Sequence, residues 1–336
     1  MKAMLLEEYG AEHRFAEHDV DAPVPGPGEV LVRVAGSSFN PIDNKMATLG
    51  NLLSFAPASP ALLGMDVSGE VIATGKGATR FQPGDHVMGC AGGVVDIPGA
   101  LAQYMAADER LLAPAPACMD LADAACLPLV SITAWLGLFG KASLARGQTL
   151  LVHGGAGGVG HMAVQLGAHI GAEVCATVSS PEKGLVVEAL GGTPINYRET
   201  RVEEYVDAHT GGRGFDVVFD TVGGIVLDQS FTAAKTGGQV VSTVTRSSHD
   251  LSLLHTKSLS LHVVFMLLPM ITGEGRELHG EILANVSGLV DEDALAVLID
   301  DRRFDFREVG DAHRHWERGR ASGKISLVPA DWTHGA

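Results

Sequence analysis

The sequence predicts an α/β chain in two parts: an all-β, barrel-like region, then a doubly wound, parallel, six-stranded sheet. Three observations carry this expectation. Glycine is in excess, 42 of 336 residues or about 12%, against a usual figure of roughly 7%. Residues 1 to about 120 read as short strands divided by turn signals. From about 124 onward, apolar strand-like runs alternate with helical windows, the pattern of a parallel sheet covered by helices on both faces.

In order along the chain, Pro23-Val24-Pro25-Gly26-Pro27-Gly28 is a turn cluster, and Glu29-Val30-Leu31-Val32-Arg33-Val34 then alternates like a half-buried strand. Stretches 67–74 and 85–88 repeat the theme around the turn Gln82-Pro83-Gly84. Further strands are expected at 149–153, 173–178, 194–196, 216–220, 239–243 and 260–265, with helices at 159–170, 181–190, 202–209 and 225–235 between them. After about 266 the alternation ends. A helix-like stretch at 310–320 and a short strand at 324–328 are expected to return to the first domain. The domain expectation is therefore 1–123 completed by 266–336, around a second domain at 124–265.

Composition narrows the function classes. Hydrophobic residues at 46% and charged residues at 19% give a globular chain with material for two cores, which excludes disorder. With 24 basic against 40 acidic side chains the formal charge is −16, a field that repels nucleic acid backbones. Cys90, Cys118, Cys126 and Cys175 lie 28, 8 and 49 positions apart, without a C-x-x-C pair, so reduced thiols in a cytoplasmic protein are expected. Met4-Leu5-Leu6 is too short for a signal-peptide core. The uncharged stretch 124–140 contains Pro128, Ser131 and Thr133 and falls short of the ~20 apolar residues of a spanning helix. Neither membrane nor nucleic acid is expected as a partner.

The strongest motif is Gly154-Gly155-Ala156-Gly157-Gly158-Val159-Gly160 directly after the apolar run Leu150-Leu151-Val152. It holds G-x-G-x-x-G at Gly155, Gly157 and Gly160, between a strand and an amphipathic helix. The first glycine permits the turn, the second lets backbone approach a pyrophosphate, and the third packs helix on strand. Open amides at the helix start favour the phosphates. A tight turn without ligand is the bland alternative. The next strand ends in Val178-Ser179-Ser180, where an NAD site carries an acid that would repel a 2′-phosphate. Lys183 follows, and Tyr197-Arg198 closes the third strand. These residues favour NADPH; against this, Lys183 and Arg198 are simply solvated charges, a reading that Glu182 supports.

At this point the chain resembles the medium-chain dehydrogenase/reductase superfamily, specifically its zinc-free quinone oxidoreductase-like branch. The resemblance runs over nearly the whole length, through Gly28-Glu29-Val30-Leu31-Val32-Arg33-Val34, Asn40-Pro41-Ile42-Asp43, Gly64-Met65-Asp66-Val67-Ser68-Gly69-Glu70-Val71, Pro83-Gly84-Asp85-His86-Val87, the glycine loop and Gly323-Lys324-Ile325. It implies a GroES-like β-barrel domain plus a Rossmann dinucleotide-binding domain. Zinc members of the family carry a cysteine where this chain has Asn40 and His-Glu where it has Met65-Asp66, so no metal is expected. His313 and His315, two apart, point to different faces of a helix.

The resemblance further implies Asn40 and Asp43 as catalytic-side polar groups beside the nicotinamide. It implies Thr133, Gly155, Ala156, Gly157, Gly158, Val159, Ser179, Ser180, Lys183, Tyr197, Thr221, Val222, Thr243, Phe265 and Lys324 as cofactor contacts. Thr133 and Phe265 read equally as core residues, and Asp43 as a loop brace. Ala47 stands where relatives often carry an arginine, and no tyrosine lies between Tyr9 and Tyr104, which counts against the enoyl-thioester branch. The activity expected is zinc-independent, NADPH-dependent hydride transfer to a quinone or similar conjugated carbonyl by a homodimer. An enal/enone (alkenal) reductase and a non-enzymatic, crystallin-like NADPH binder are the alternatives. Asn40 is expected to donate to the developing oxyanion.

Overall fold

The computed structural model describes residues 1–329. The chain divides into two units, one of Met1–Leu129, Leu267–Asp293 and the chain from Val297 on, the other of Val130–Met266 with Ala294–Ala296.

The first unit begins β1 (Lys2–Glu8), β2 (Arg14–Asp19), β3 (Glu29–Phe39), α1 (Pro41–Leu49), β4 (Ala61–Leu62), β5 (Asp66–Thr74), β6 (His86–Cys90), β7 (Tyr104–Asp108), β8 (Leu112–Pro114) and α2 (Leu121–Ala124). The strand β3 is its centre. Val30, Val32 and Val34 point inward while Leu31 and Arg33 are partly exposed, the alternation expected of a strand with one buried face. It pairs antiparallel with both β5 and β7. Two close approaches hold this packing: a Cβ on Gly36 would meet the Ala122 carbonyl oxygen at 2.4 Å, and one on Gly69 the Arg33 carbonyl oxygen at 2.1 Å.

The helix α3 (Pro128–Trp135) leads into the second unit, which runs β9 (Thr149–His153), α4 (Gly158–His169), β10 (Glu173–Val178), α5 (Pro181–Ala189), β11 (Thr193–Asn196), α6 (Val202–Thr210), β12 (Phe215–Asp220), α7 (Ile225–Ala233), β13 (Ala234–Ser242), α8 (Ser252–Thr256) and β14 (Ser260–Val263). All six strands are parallel, in the order β11-β10-β9-β12-β13-β14. This is the doubly wound sheet the sequence predicts, with the order reversing beside β9. The strand β13 begins earlier than expected because Ala234 pairs with Phe215 ahead of a register irregularity. The helical stretch Leu121–Lys141 is long and apolar enough to cross a membrane by composition alone, yet 72% of its most apolar window is buried in the fold.

The chain closes with α9 (Leu268–Thr272), α10 (Arg276–Asp291), β15 (Phe304–Asp305), α11 (Val309–Glu317) and β16 (Ile325–Val328). The long helix α10 is absent from the sequence expectation; Ile282, Leu283, Val286 and Val290 bury its inner face against β6 and β8. Strand β16 pairs antiparallel with β3, Ile325 opposite Phe39, which completes the sheet β15-β16-β3-β5-β6-β8 and brings Lys324 level with Asn40.

Candidate functional site

Two constellations emerge, one in each unit. In the second, every strand-end residue singled out on the sequence lies at one edge of the sheet. Gly155, Ala156, Gly157, Gly158 and Val159 follow β9, Ser179 and Ser180 follow β10, Tyr197 follows β11, Thr221 and Val222 follow β12, Thr243 follows β13 and Phe265 lies just past β14. Parallel strands put these carboxyl ends on a common rim, where open α/β sheets bind ligands.

The rim is built to admit a dinucleotide. Gly154 adopts φ +76°, which turns the chain, and its amide donates to Thr177 Oγ1 at 3.1 Å. A Cβ on Gly155 would meet Ala176 Cβ at 2.5 Å, and one on Gly160 the Gly154 carbonyl oxygen at 2.0 Å, so only glycine fits either place. No side chain caps α4, whose first amides therefore stay open at the positive end of the helix. Thr221 Oγ1 donates to the His153 carbonyl at 2.7 Å, and Asp220 accepts from the amides of Val222 and Gly223 at 2.9 and 2.8 Å, fixing the adjacent loop. Burial pushes the His153 imidazole down to about 4, against the opposing charge of Asp220, so it stays neutral beneath the loop.

At the far end of this rim Ser180 caps α5, its hydroxyl accepting from the Lys183 amide at 3.5 Å. The same hydroxyl bonds the Glu182 carboxylate and holds that group below its usual range. Lys183 and Arg198 are exposed and have no ion-pair partner among the described residues. Thr133 is buried within α3 of the second unit.

In the first unit a buried polar cluster surrounds Asp66. Asp66 Oδ1 accepts from the Leu129 amide at 2.9 Å, and Oδ2 from Ser38 Oγ at 2.7 Å and Asn40 Nδ2 at 2.8 Å. Lys324 Nζ stands 3.5 Å from Oδ2 and donates to the Phe39 carbonyl at 2.9 Å and to Asn40 Oδ1. An ammonium on one side and a carboxylate on the other dictate which end of the Asn40 carboxamide faces which. Asn40 is 0% exposed, so its side chain is a bracket between opposite charges. Lys324, grouped with the cofactor contacts on the sequence, lies in this cluster.

Asp43 sits three residues on, in the first turn of α1. Its Oδ2 accepts the Asn40 amide at 2.9 Å, while Oδ1 is buried without a hydrogen-bond partner. Burial, reinforced by the Asp66 charge, pushes its carboxyl up to about 7, despite the Asn40 amide and the Lys324 ammonium. One cation thus faces two carboxyls, and burial favours the protonated form of the second.

This donor set does not fit a zinc ion. Met65 is fully buried, and the oxygens of Asp66 and Asn40 are already committed to Lys324, Ser38 and Leu129. Among the described residues no group of three or more His, Cys, Asp or Glu side chains is placed to hold a metal. His313 and His315 do point apart, to Asn44 Oδ1 at 2.9 Å and to Asp300 at 3.3 Å.

Sequence reasoning missed the part played by Asp66, Ser38 and Thr177. A signal existed for the first: a charge opening the apolar run of β5 needs a buried partner.

Residues 26–117 match the alcohol dehydrogenase GroES-like domain, and residues 190–327 the zinc-binding dehydrogenase family. The chain is 31% identical to the 2-methylene-furan-3-one reductase of Solanum lycopersicum, over 98% of this chain and 79% of that one. It is 29% identical to the chloroplastic NADPH-dependent alkenal/one oxidoreductase of Arabidopsis thaliana, over 98% and 80%. It also matches 7% of the length of the mycoketide-CoA synthase of Mycobacterium tuberculosis, at 33% identity over 94% of this chain. Among solved structures, an alcohol dehydrogenase superfamily protein from Novosphingobium aromaticivorans superposes with a TM-score of 0.93 at 40% identity, covering 98% of this chain and 99% of that one. The quinone oxidoreductase of Pseudomonas syringae pv. Tomato DC3000 superposes at 0.85 with 27% identity, over 98% and 99%.

Proposed function

The chain belongs to the medium-chain dehydrogenase/reductase superfamily, in its zinc-free quinone oxidoreductase-like branch, and from that premise we propose that it is an NADPH-dependent reductase of conjugated carbonyl compounds. The observation that carries this reading is the open glycine cradle at the head of α4, with exposed Lys183 and Arg198 farther along the same rim.

The bound nicotinamide cofactor supplies the hydride. The chain's own residues do the rest. Gly155, Gly157 and the open amides of α4 hold the pyrophosphate. Lys183, Arg198 and the Tyr197 hydroxyl receive the 2′-phosphate, beside a serine where an NAD site has an acid. Thr133, Thr221, Val222, Thr243 and Phe265 complete the cofactor rim. On the acceptor side Asn40 acts as a positioning group that fixes the Lys324 ammonium and the first turn of α1, and Asp43 is the polar group whose proton is mobile near neutral pH.

Substrate class follows from charge. The Lys324 ammonium donates to Phe39 and Asn40 and pairs with the Asp66 carboxylate, so its charge is already engaged within this cluster rather than aimed at a lone carbonyl. A quinone, enone or enal spreads the incoming charge over its own conjugation. The two plant relatives, named for a methylene-furanone and for alkenals and alkenones, support enones alongside quinones. The test is NADPH oxidation with p-benzoquinone, 3-buten-2-one and propanal; turnover of the first two with propanal inert supports the reading, and preferred reduction of propanal overturns it.

A homodimer in the cytoplasm belongs to the same reading. Strand β14 is an edge of the parallel sheet, with Val263 and Phe265 exposed beside it, and an open apolar edge invites a second copy. Light scattering on Val263→Lys, expected to shift mass toward a monomer, checks this.

A further inference from the structure

We propose that Ser247, His249 and Asp228 form an acyl-accepting nucleophilic serine site in the second unit, on the loop that follows β13 and on the helix α7. His249 Nδ1 lies 2.9 Å from Asp228 Oδ1, and His249 Nε2 lies 2.5 Å from Ser247 Oγ. An ionised carboxylate can only accept, so Nδ1 carries the ring hydrogen. The lone pair on Nε2 is then aimed at the serine hydroxyl. That is the tautomer and orientation a general base needs to take a proton from a serine, and such a constellation is recognised by geometry rather than by chain order.

The surroundings reinforce the arrangement. Asp228 and Phe231 lie one turn apart on α7, and the Phe231 ring meets the His249 ring edge-on at 6.4 Å and 81°. One helix thus provides both the orienting carboxylate and an apolar wall for the imidazole. The His249 side chain is only 9% exposed, whereas Ser247 is open to solvent. The base is shielded and the nucleophile is reachable. Among the described residues the amide of Ser248 donates to no acceptor, which leaves a backbone donor next to the nucleophile for a developing oxyanion.

The step balances without a redox partner. Ser247 Oγ bonds to the carbonyl carbon of an ester as its proton passes to His249 Nε2. The carbon–oxygen bond to the leaving group breaks, and the leaving oxygen takes that proton. Water, deprotonated by the same nitrogen, then releases the carboxylic acid and restores the serine. Because Ser247 is on an exposed loop, the donors it suits are small esters with a stabilised leaving group such as a phenolate.

The probe is p-nitrophenyl acetate on the full-length chain, read as p-nitrophenolate release and as the mass of the Ser247 peptide. The expected result is one acetyl group per chain on Ser247. Loss of that adduct in Ser247→Ala and a drop of about 10²-fold in its rate of formation in His249→Gln should accompany it. Asp228→Asn, at a half-exposed position, should slow it by about tenfold or more while the chain stays folded. Ser247→Ala changes an exposed hydroxyl, so its loss of label cannot be put down to unfolding. Acetylation confined to lysines, or a Ser247 rate unchanged in both His249→Gln and Asp228→Asn, overturns the proposal and leaves the three residues as a staple of the loop. NADPH oxidation is a separate readout, so failure here does not bear on the reductase reading.

Discussion

Lys324 and Asp66 lie 258 positions apart in sequence and 3.5 Å apart in the fold, with side chains 3% and 0% exposed. The contact exists because β16 pairs antiparallel with β3 while β3 pairs with β5, so one strand delivers each charge to either side of Asn40. A buried charge left alone is costly, and this pair survives burial because Ser38, Asn40, Phe39 and Leu129 satisfy its remaining hydrogen bonds.

Lys324→Met should therefore strand the Asp66 carboxylate and lower the unfolding free energy by about 3–5 kcal/mol. Lys324→Met combined with Asp66→Asn should recover part of that loss. Urea unfolding of the two variants checks this; an equal or greater loss in the double variant would show that the pair is not coupled.

The contrast between this pair and the sheet around β9 marks what the sequence displays. Thr149–His153 and Glu173–Val178 are legible to the residue, because each is an apolar run ended by glycine or serine, and the pattern is local. The glycine loop is legible for the same reason. Lys324 is not, since nothing near it names Asp66 as its partner. Asn40 reads as a donor to substrate from its motif, but its orientation is set by two charges brought in from distant strands. The helix α10 was missed because Gly280 and Gly288 dilute its pattern, although Gly280 is required where the Arg110 carbonyl oxygen would lie 2.5 Å from a Cβ.

Asp43 gives stability a pH slope. Its carboxyl titrates near 3.8 when unfolded and is pushed up to about 7 when folded. Between those values the folded chain binds the extra proton, so this group's contribution is full below about pH 4 and is lost as pH rises through 7. Asp43→Asn should remove up to about 4 kcal/mol of this dependence. The variant should thus gain relative to wild type on moving from pH 5 to pH 8. Chemical unfolding at both pH values measures it, and a constant difference would rule it out.

The glycine cradle makes a sharper prediction. Gly160→Ala would put a methyl group 2.0 Å from the Gly154 carbonyl oxygen, and backbone would have to move. Since that carbonyl belongs to the glycine loop proposed to hold the pyrophosphate, NADPH affinity should fall by at least about tenfold. Gly147→Ala, at an open turn with φ +78°, controls for general strain and should keep its affinity. Titration of NADPH fluorescence reads both.

Lys183 tests which nicotinamide cofactor is used. A charge-assisted hydrogen bond contributes about 1.5–3 kcal/mol, so Lys183→Ala should weaken NADPH binding roughly tenfold to a hundredfold. NADH, lacking the 2′-phosphate, should be unaffected. Glu182→Gln removes the carboxylate that Ser180 now holds and should tighten NADPH alone. Equal changes for both cofactors would show that this corner does not read the phosphate.

Regiochemistry decides how the acceptor is activated. Hydride delivered to the carbonyl carbon of an enone leaves an alkoxide whose charge rests on one oxygen. Hydride delivered to the β-carbon leaves an enolate, with the charge shared between oxygen and carbon. The first route needs a strong positive group at the oxygen, and the ammonium of Lys324 is already engaged by the Phe39 and Asn40 oxygens and the Asp66 carboxylate, in a cluster where Asn40 is wholly buried. The second route needs only orientation and a proton, which Asp43 holds near neutral pH. With 3-buten-2-one and deuterated NADPH, the product should be butanone labelled at its terminal carbon, without allylic alcohol. Asp43→Asn should lower kcat more than it raises KM, and its pH profile should lose a limb near 7. Allylic alcohol as the main product would mean that an electrophilic group acts at the carbonyl oxygen, and that the cluster around Asp66 opens when the acceptor binds.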